Sequence, residues 1–152
     1  MKIKVTITEI SHDDLVDLIS TAFTGSTFLV ANYDSIEYKQ LPNADENNDC
    51  LEDKMAKLLL AGKSVEFCDR YAEDSSDSHG KLPHKYDNDY GTMDYTVTLE
   101  DIKKGLQKAL LNKGGYSAEC AMNLINADDG NLDQPQAEEL VQYIMFGESI
   151  YG

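Results

Sequence analysis

Residues 93–114, MDYTVTLEDIKKGLQKALLNKG, change period in the middle of the stretch. Met93, Tyr95 and Val97 alternate with Asp94 and Thr96, which is the two-residue repeat of a strand with one buried face. From Leu99 the apolar residues Ile102, Leu106, Ala109 and Leu110 recur at helical spacing, the stripe of an amphipathic helix. The switch falls on Thr98, whose hydroxyl accepts an N–H of the first turn while Asp101, at the third helical position, reaches back. Gly114 and Gly115 supply the left-handed backbone on which helices commonly stop. The unit is a strand, a cap and a helix, and it is scaffold rather than a catalytic motif.

The N-terminal residues repeat this organisation. Ile3, Val5 and Ile7 alternate with Lys4 and Thr6, Ser11 and Asp14 make a capping box, and Leu15, Leu18, Ile19, Ala22 and Phe23 give a helical stripe that Gly25 ends. Between Ser26 and Asn48 the signal fades. Phe28 to Ala31 could make a short buried strand, and Tyr33 to Leu41 shows no period and reads as irregular. Asp49 and Glu52 then frame the start of a helix with Leu51, Met55, Leu58 and Leu59 on its buried stripe; Gly62 ends it, and Val65 and Phe67 alternate with Ser64, Glu66 and Cys68 as a strand.

Residues 73–91, EDSSDSHGKLPHKYDNDYG, have the composition of a long loop. After the central unit, Ser117 reads as the cap of a helix carrying Ala118, Ala121, Met122 and Ile125. Residues 126–131 read as a turn. Asp133 and Gln136 cap a last helix with Pro135 in its first turn and Ala137, Leu140, Val141, Ile144 and Met145 inside. The fold class expected is α+β, a small, mostly antiparallel three-stranded sheet packed by about five helices. A chain of 152 residues suits a single domain over 1–152, with 115–152 free to pack as a helical subdomain.

Charge is the compositional outlier. The chain has 28 acidic and 13 basic residues, a formal net charge of −15, which argues against direct binding to nucleic acid or an anionic membrane and for a basic protein partner. Cys50, Cys68 and Cys120 have no paired spacing, and the expected location is the cytoplasm. After Lys113 there is neither lysine nor arginine, so Glu119, Asp128, Asp129, Asp133, Glu138, Glu139 and Glu148 have no basic neighbour in sequence. Asp87 and Asp89 lie between Tyr86 and Tyr90 in the acidic loop, and exposed tyrosine supplies rigid, amphipathic contact area at interfaces. Asp87, Asp89, Tyr86, Tyr90, Asp128, Asp129, Asp133, Glu138 and Glu139 are therefore the candidate partner-binding residues.

Other motifs do not carry chemistry. AGKS at 61–64 lacks the upstream glycine of a phosphate loop and runs from helix to strand, the reverse of what that loop needs. Gly130 at the sixth position of a calcium loop would put Ile125 and Ala127 at ligand positions, and neither has a side-chain oxygen. His79 and His84, with Asp74, Asp77 and Asp87 nearby, match no compact zinc spacing. No nucleophile elbow or dinucleotide fingerprint is present, so neither catalytic residues, cofactor nor metal is expected.

Three segments, VTITEISHDDLVDLISTAFTGS (5–26), CLEDKMAKLLLAGKSVEFCDRYAE (50–73) and VTLEDIKKGLQKAL (97–110), together resemble small acidic proteins carried by phages and mobile elements of gut bacteria. That group includes anti-CRISPR proteins, several of which present acidic surfaces to the nucleic-acid channel of a nuclease. The resemblance implies a non-enzymatic inhibitor of a host defence nuclease, acting in the host bacterial cell by occupying a basic groove. The alternatives are a protein–protein adaptor whose acidity is incidental and, third, a small enzyme whose site is assembled only by folding.

Overall fold

The computed structural model describes residues 7–112, 114–125 and 132–151. The chain order is α1 (His12–Phe23), β1 (Leu29–Asn32), α2 (Ser35–Lys39), α3 (Leu51–Leu60), β2 (Val65–Asp69), β3 (His84–Asp87), β4 (Thr92–Val97), α4 (Leu99–Leu111), α5 (Tyr116–Ile125) and α6 (Gln134–Phe146). The class is α+β, with an antiparallel sheet in the order β1-β2-β4-β3.

The counts differ from the sequence expectation: four strands rather than three and six helices rather than five among the described residues. Two of the additions fall between Ser26 and Asn48, where the sequence signal fades, the first of them where Phe28 to Ala31 leave a short buried strand open. Leu29 to Asn32 form β1 against β2. Asp34 caps the five-residue α2 by accepting from the N–H groups of Ile36 and Glu37. The third addition, β3, lies inside the expected long loop. His84 to Asp87 alternate no apolar residues, and the strand is held by its pairing with β4 and by a turn in which the Asp87 carbonyl accepts from Gly91 N–H at 2.8 Å. Gly91 adopts φ +68°, a conformation that costs glycine little. The expected strand at Ile3 and Val5 lies outside the described residues, as does the turn at 126–131; Ile7 is described, and its N–H donates to Gln107 Oε1.

The caps show where local chemistry decides and where it does not. Thr98 with Asp101 and Asp133 with Gln136 make both bonds of their capping boxes, and the Ser11 hydroxyl accepts from Asp14 N–H. Asp49 does not cap α3. Its Oδ2 instead accepts from Lys57 Nζ and from the Tyr38 hydroxyl, both at 2.6 Å, and Cys50 takes the cap position. A charged donor and a buried phenol outcompete a neutral backbone amide. Ser117 is likewise no cap: α5 begins at Tyr116, and the buried Ser117 hydroxyl donates to the Ala109 carbonyl.

One cluster of buried side chains runs from Ile10 to Phe146. The inner face of the sheet, carrying Val65, Phe67, Met93, Tyr95 and Val97, lies against helices; Phe67 meets Phe23 of α1 at 4.9 Å between ring centroids, and Tyr95 meets Phe146 of α6 at 5.5 Å. Helices α4 and α6 cross so closely that Gly105 has no room for a Cβ, which would fall 2.4 Å from Ile144 Cα. The helices occupy one side, and the other side of the sheet is left facing outward.

Candidate functional site

The pleat decides what that outward side carries. Residues of β2 and β4 that alternate with the core ones, Glu66 and Cys68 on β2 and Thr92, Asp94 and Thr96 on β4, share it with Lys85 and Asp87 of β3. Register places Cys68 and Lys85 on either side of Asp94, Thr96 beside Glu66, and Thr92 beside Asp87. Glu66, Asp94 and Asp87 therefore descend diagonally across three strands, with Asp89 beyond them in the hairpin turn. Diagonal neighbours in a sheet stand about 7–8 Å apart.

Two shallow grooves follow from this relief. The larger, about 440 Å³, has Cys68, Asp87, Thr92 and Asp94 along it with Arg70 and Tyr90 at its margin. The other, about 430 Å³, runs past Glu66, Lys85, Asp87 and Asp89. Burial raises the Glu66 carboxyl above its usual range, and the negative charges of Asp94 and Asp87 raise it further against a smaller opposing effect of Lys85. The Cys68 thiol, 3% exposed, is pushed up first by burial and then by its hydrogen bond to Asp94. A thiol held in its neutral form is a poor nucleophile. The Asp94 Oδ1 also accepts from the Thr92 hydroxyl at 2.6 Å.

The sequence-predicted residues divide into two places. Asp87, Asp89 and Tyr90 meet at the β3–β4 turn, where Asp87 Oδ1 accepts from the N–H groups of Asp89 and Tyr90 at 2.9 and 3.2 Å. Tyr90 is 85% exposed. Tyr86 points to the inner side and donates its hydroxyl to the Glu73 carbonyl, so it pins the preceding loop. Asp133, Glu138 and Glu139 belong to α6, away from the sheet face: Asp133 is the helix cap, Glu138 accepts from the Gln134 amide, and Glu139 Oε2 accepts from the Ser149 hydroxyl at 3.1 Å. Glu138 and Glu139 line a separate cleft of about 330 Å³ with Tyr116, Gln142 and Tyr151. Burial, helped by Cys120, pushes the Tyr116 phenol up to about 12. Asp128 and Asp129 lie outside the described residues.

Glu66 and Asp94 are the site residues the sequence reading left out. Their signal was present, since each is the polar member of a two-residue alternation. What was missing was the pairing that puts the two alternations side by side.

Several other titratable groups have structural employment. Asp69, 0% exposed, accepts from the Tyr151 hydroxyl and Tyr71 N–H, both at 2.8 Å. The His79 ring packs on Phe146 and Tyr151, and its backbone N–H donates to the Tyr95 hydroxyl. His84 Nδ1 instead lies 2.9 Å from the Leu82 carbonyl, so the two histidines serve different contacts. Among the described residues no group of three or more His, Cys, Asp or Glu is arranged to hold a metal ion, and no helix is long and apolar enough to cross a membrane. No protein-family profile, curated protein or solved structure matches this chain.

Proposed function

We propose that this chain is a non-enzymatic acidic binding protein, of the phage or mobile-element kind it resembles, that inhibits a host defence nuclease by occupying a basic nucleic-acid-binding surface. The observation that carries the reading is the outward face of the sheet. It bears Glu66, Asp94 and Asp87 on one diagonal with Asp89 in the adjoining turn, and the Glu66 carboxyl is raised first by burial and then by the charges of Asp94 and Asp87, against a smaller opposing effect of Lys85. Among the described residues only three carboxylates take a lysine partner within 4.0 Å, those of Glu46, Asp49 and Glu100. Carboxylates at sheet-diagonal spacing stand in for phosphates against lysine and arginine, and one-signed surface of this kind steers a basic partner on approach.

The test is capture from a bacterial lysate on the immobilised protein at low and at roughly physiological salt, followed by a cleavage assay on any nuclease retained. The reading expects a basic nuclease that is bound more weakly as salt rises and whose cleavage is blocked. Retention with undiminished cleavage, or binding indifferent to salt, would count against it. An adaptor reading has one observation of its own, the exposed Met122 and Ile125, one turn apart on α5. It expects Met122→Ser with Ile125→Ser to abolish capture and Glu66→Gln with Asp94→Asn to leave it intact.

A further inference from the structure

We infer that residues 148–151 form a detachable strap, which when docked buries Asp69 and engages the part-exposed Glu139 and when released frees both together. The strap leaves α6 at Gly147, which turns the chain with φ +76°. Its backbone is then held by one side chain. The Gln142 amide, 2% exposed, accepts from Ile150 N–H at 2.8 Å and Tyr151 N–H at 2.7 Å through Oε1, and donates to the Tyr151 carbonyl at 3.0 Å through Nε2. Both of its side chains that carry hydroxyls end on acids: Ser149 donates to Glu139 and Tyr151 donates to Asp69.

Beneath Tyr151 lies an aromatic cage. The ring meets Phe28 at 4.7 Å, Tyr71 at 5.1 Å and Phe146 at 6.0 Å between centroids, mostly edge to face, with His79 beyond. The cage has a carboxylate at its floor, and the strap supplies the phenol that satisfies it. This differs from ordinary core packing in one respect. The strap follows α6, has no strand or helix pairing among the described residues, and depends on a single amide for its backbone hydrogen bonds. Segments with few cooperative contacts open locally without global unfolding. On opening, Asp69 loses the Tyr151 hydroxyl and keeps only Tyr71 N–H, while Glu139, beside Glu138 in the cleft, loses Ser149 and the Gln142 amide loses its strap partners. The consequence for binding rests on the function proposed above: the docked strap is an autoinhibitory contact that buries Asp69 and occupies Glu139 with a hydroxyl, which lowers what both can offer a basic partner.

Native-state hydrogen exchange on the full chain tests the strap itself. The Ile150 and Tyr151 amides are expected to exchange at least ~10-fold faster than those of Val141 and Ile144. In Gln142→Leu they should lose protection altogether while the α6 and sheet amides keep theirs. Equal protection of strap and helix in the wild type, or loss of protection throughout the variant, would make the strap an integral part of the core and overturn the inference. Tyr151→Ala supplies an independent readout that does not need a partner: the vacated cage should take up p-cresol, restoring the lost melting temperature more than toluene does, because only the phenol satisfies Asp69. Equal rescue by toluene overturns the role of Asp69. Binding of a nona-arginine peptide, measured at low salt, should tighten a few-fold in Tyr151→Ala. Unchanged binding, with exchange as expected, refutes the autoinhibitory role; wild type and variant both inert toward the peptide would refute the acidic docking reading beneath it while leaving the strap in place.

Discussion

Gly105→Ala puts the packing of α4 on α6 to a test whose sign separates two physical effects. An ideal Cβ at 105 would stand 2.4 Å from Ile144 Cα, 2.7 Å from its N and 2.8 Å from its Cγ1. Ordinary contact begins at 3.4 Å, so the helices must part or shift by 1.0 Å at the closest point. Overpacking a well-packed interior costs about 1–3 kcal/mol, and an obstacle made of backbone, which has no rotamer to escape into, places this site toward the upper end. Helix propensity works the other way, since alanine is better than glycine in a helix interior by about 1 kcal/mol. The net loss is about 2 kcal/mol, or roughly 4–8 °C in melting temperature for a chain of this length. Thermal melts and urea titrations of the two proteins measure it, and an unchanged urea m-value would show that the loss is one of stability. Trimming the side chain at 144 with Ile144→Ala should not rescue the variant, because the two nearest atoms are main chain. A Gly105→Ala protein as stable as the wild type, or more so, would mean that propensity outweighs the contact and that the crossing is looser than its geometry indicates.

Two further changes probe the buried and the half-buried acids. Tyr151→Phe takes the hydroxyl from Asp69 and leaves the buried carboxylate with Tyr71 N–H alone; a loss of about 1–3 kcal/mol is expected, shrinking in an Asp69→Asn background, and a double-mutant cycle by urea denaturation measures the coupling. Glu66→Gln should stabilise at neutral pH by about 0.2–1 kcal/mol, because it removes a charge disfavoured first by burial and then by Asp94 and Asp87 across the strands. Its folded pKa is raised, so the ionised form weakens the fold above that pKa, and the penalty lifts as pH falls through the raised value toward 4.5. Melts at pH 7 and pH 4 should show the glutamine advantage at the first and not at the second.

Sequence reading succeeded where structure is decided within a few residues. The Thr98 and Asp133 capping boxes, the stripes of α1, α4 and α6, that of α3 apart from the exposed Leu51, and the alternation of β2 and β4 are local matters, and they are observed. It failed where a partner distant in sequence decides. Asp49 looked like a cap until Lys57 and Tyr38 reached it; the Tyr38 phenol, pushed up to about 12 chiefly by burial and then by its bond to Asp49, is buried at the centre of that exchange. β3 was invisible because HKYD has no apolar alternation to read: at the sheet edge its stability comes from the β4 register. The five residues of α2 are too few for a period, and only its cap, Asp34, could have announced it.

The same division governs the acids. Counting charge treats all carboxylates as equal, but an acid that already accepts a hydrogen bond within the chain has less to gain from a partner than one that does not. Asp133 is a cap, Glu138 holds Gln134 and Glu139 holds Ser149. On the sheet, Glu66 accepts no hydrogen bond among the described residues, and its charged form is disfavoured first by burial and then by its neighbours Asp94 and Asp87. An arginine arriving there would relieve an existing repulsion as well as form its own contact. An arginine arriving at α6 would first have to displace donors already bound. Asp87 and Asp94 on the diagonal also accept hydrogen bonds, so within the proposed binding mode Glu66 is the acid with most to gain from a basic partner.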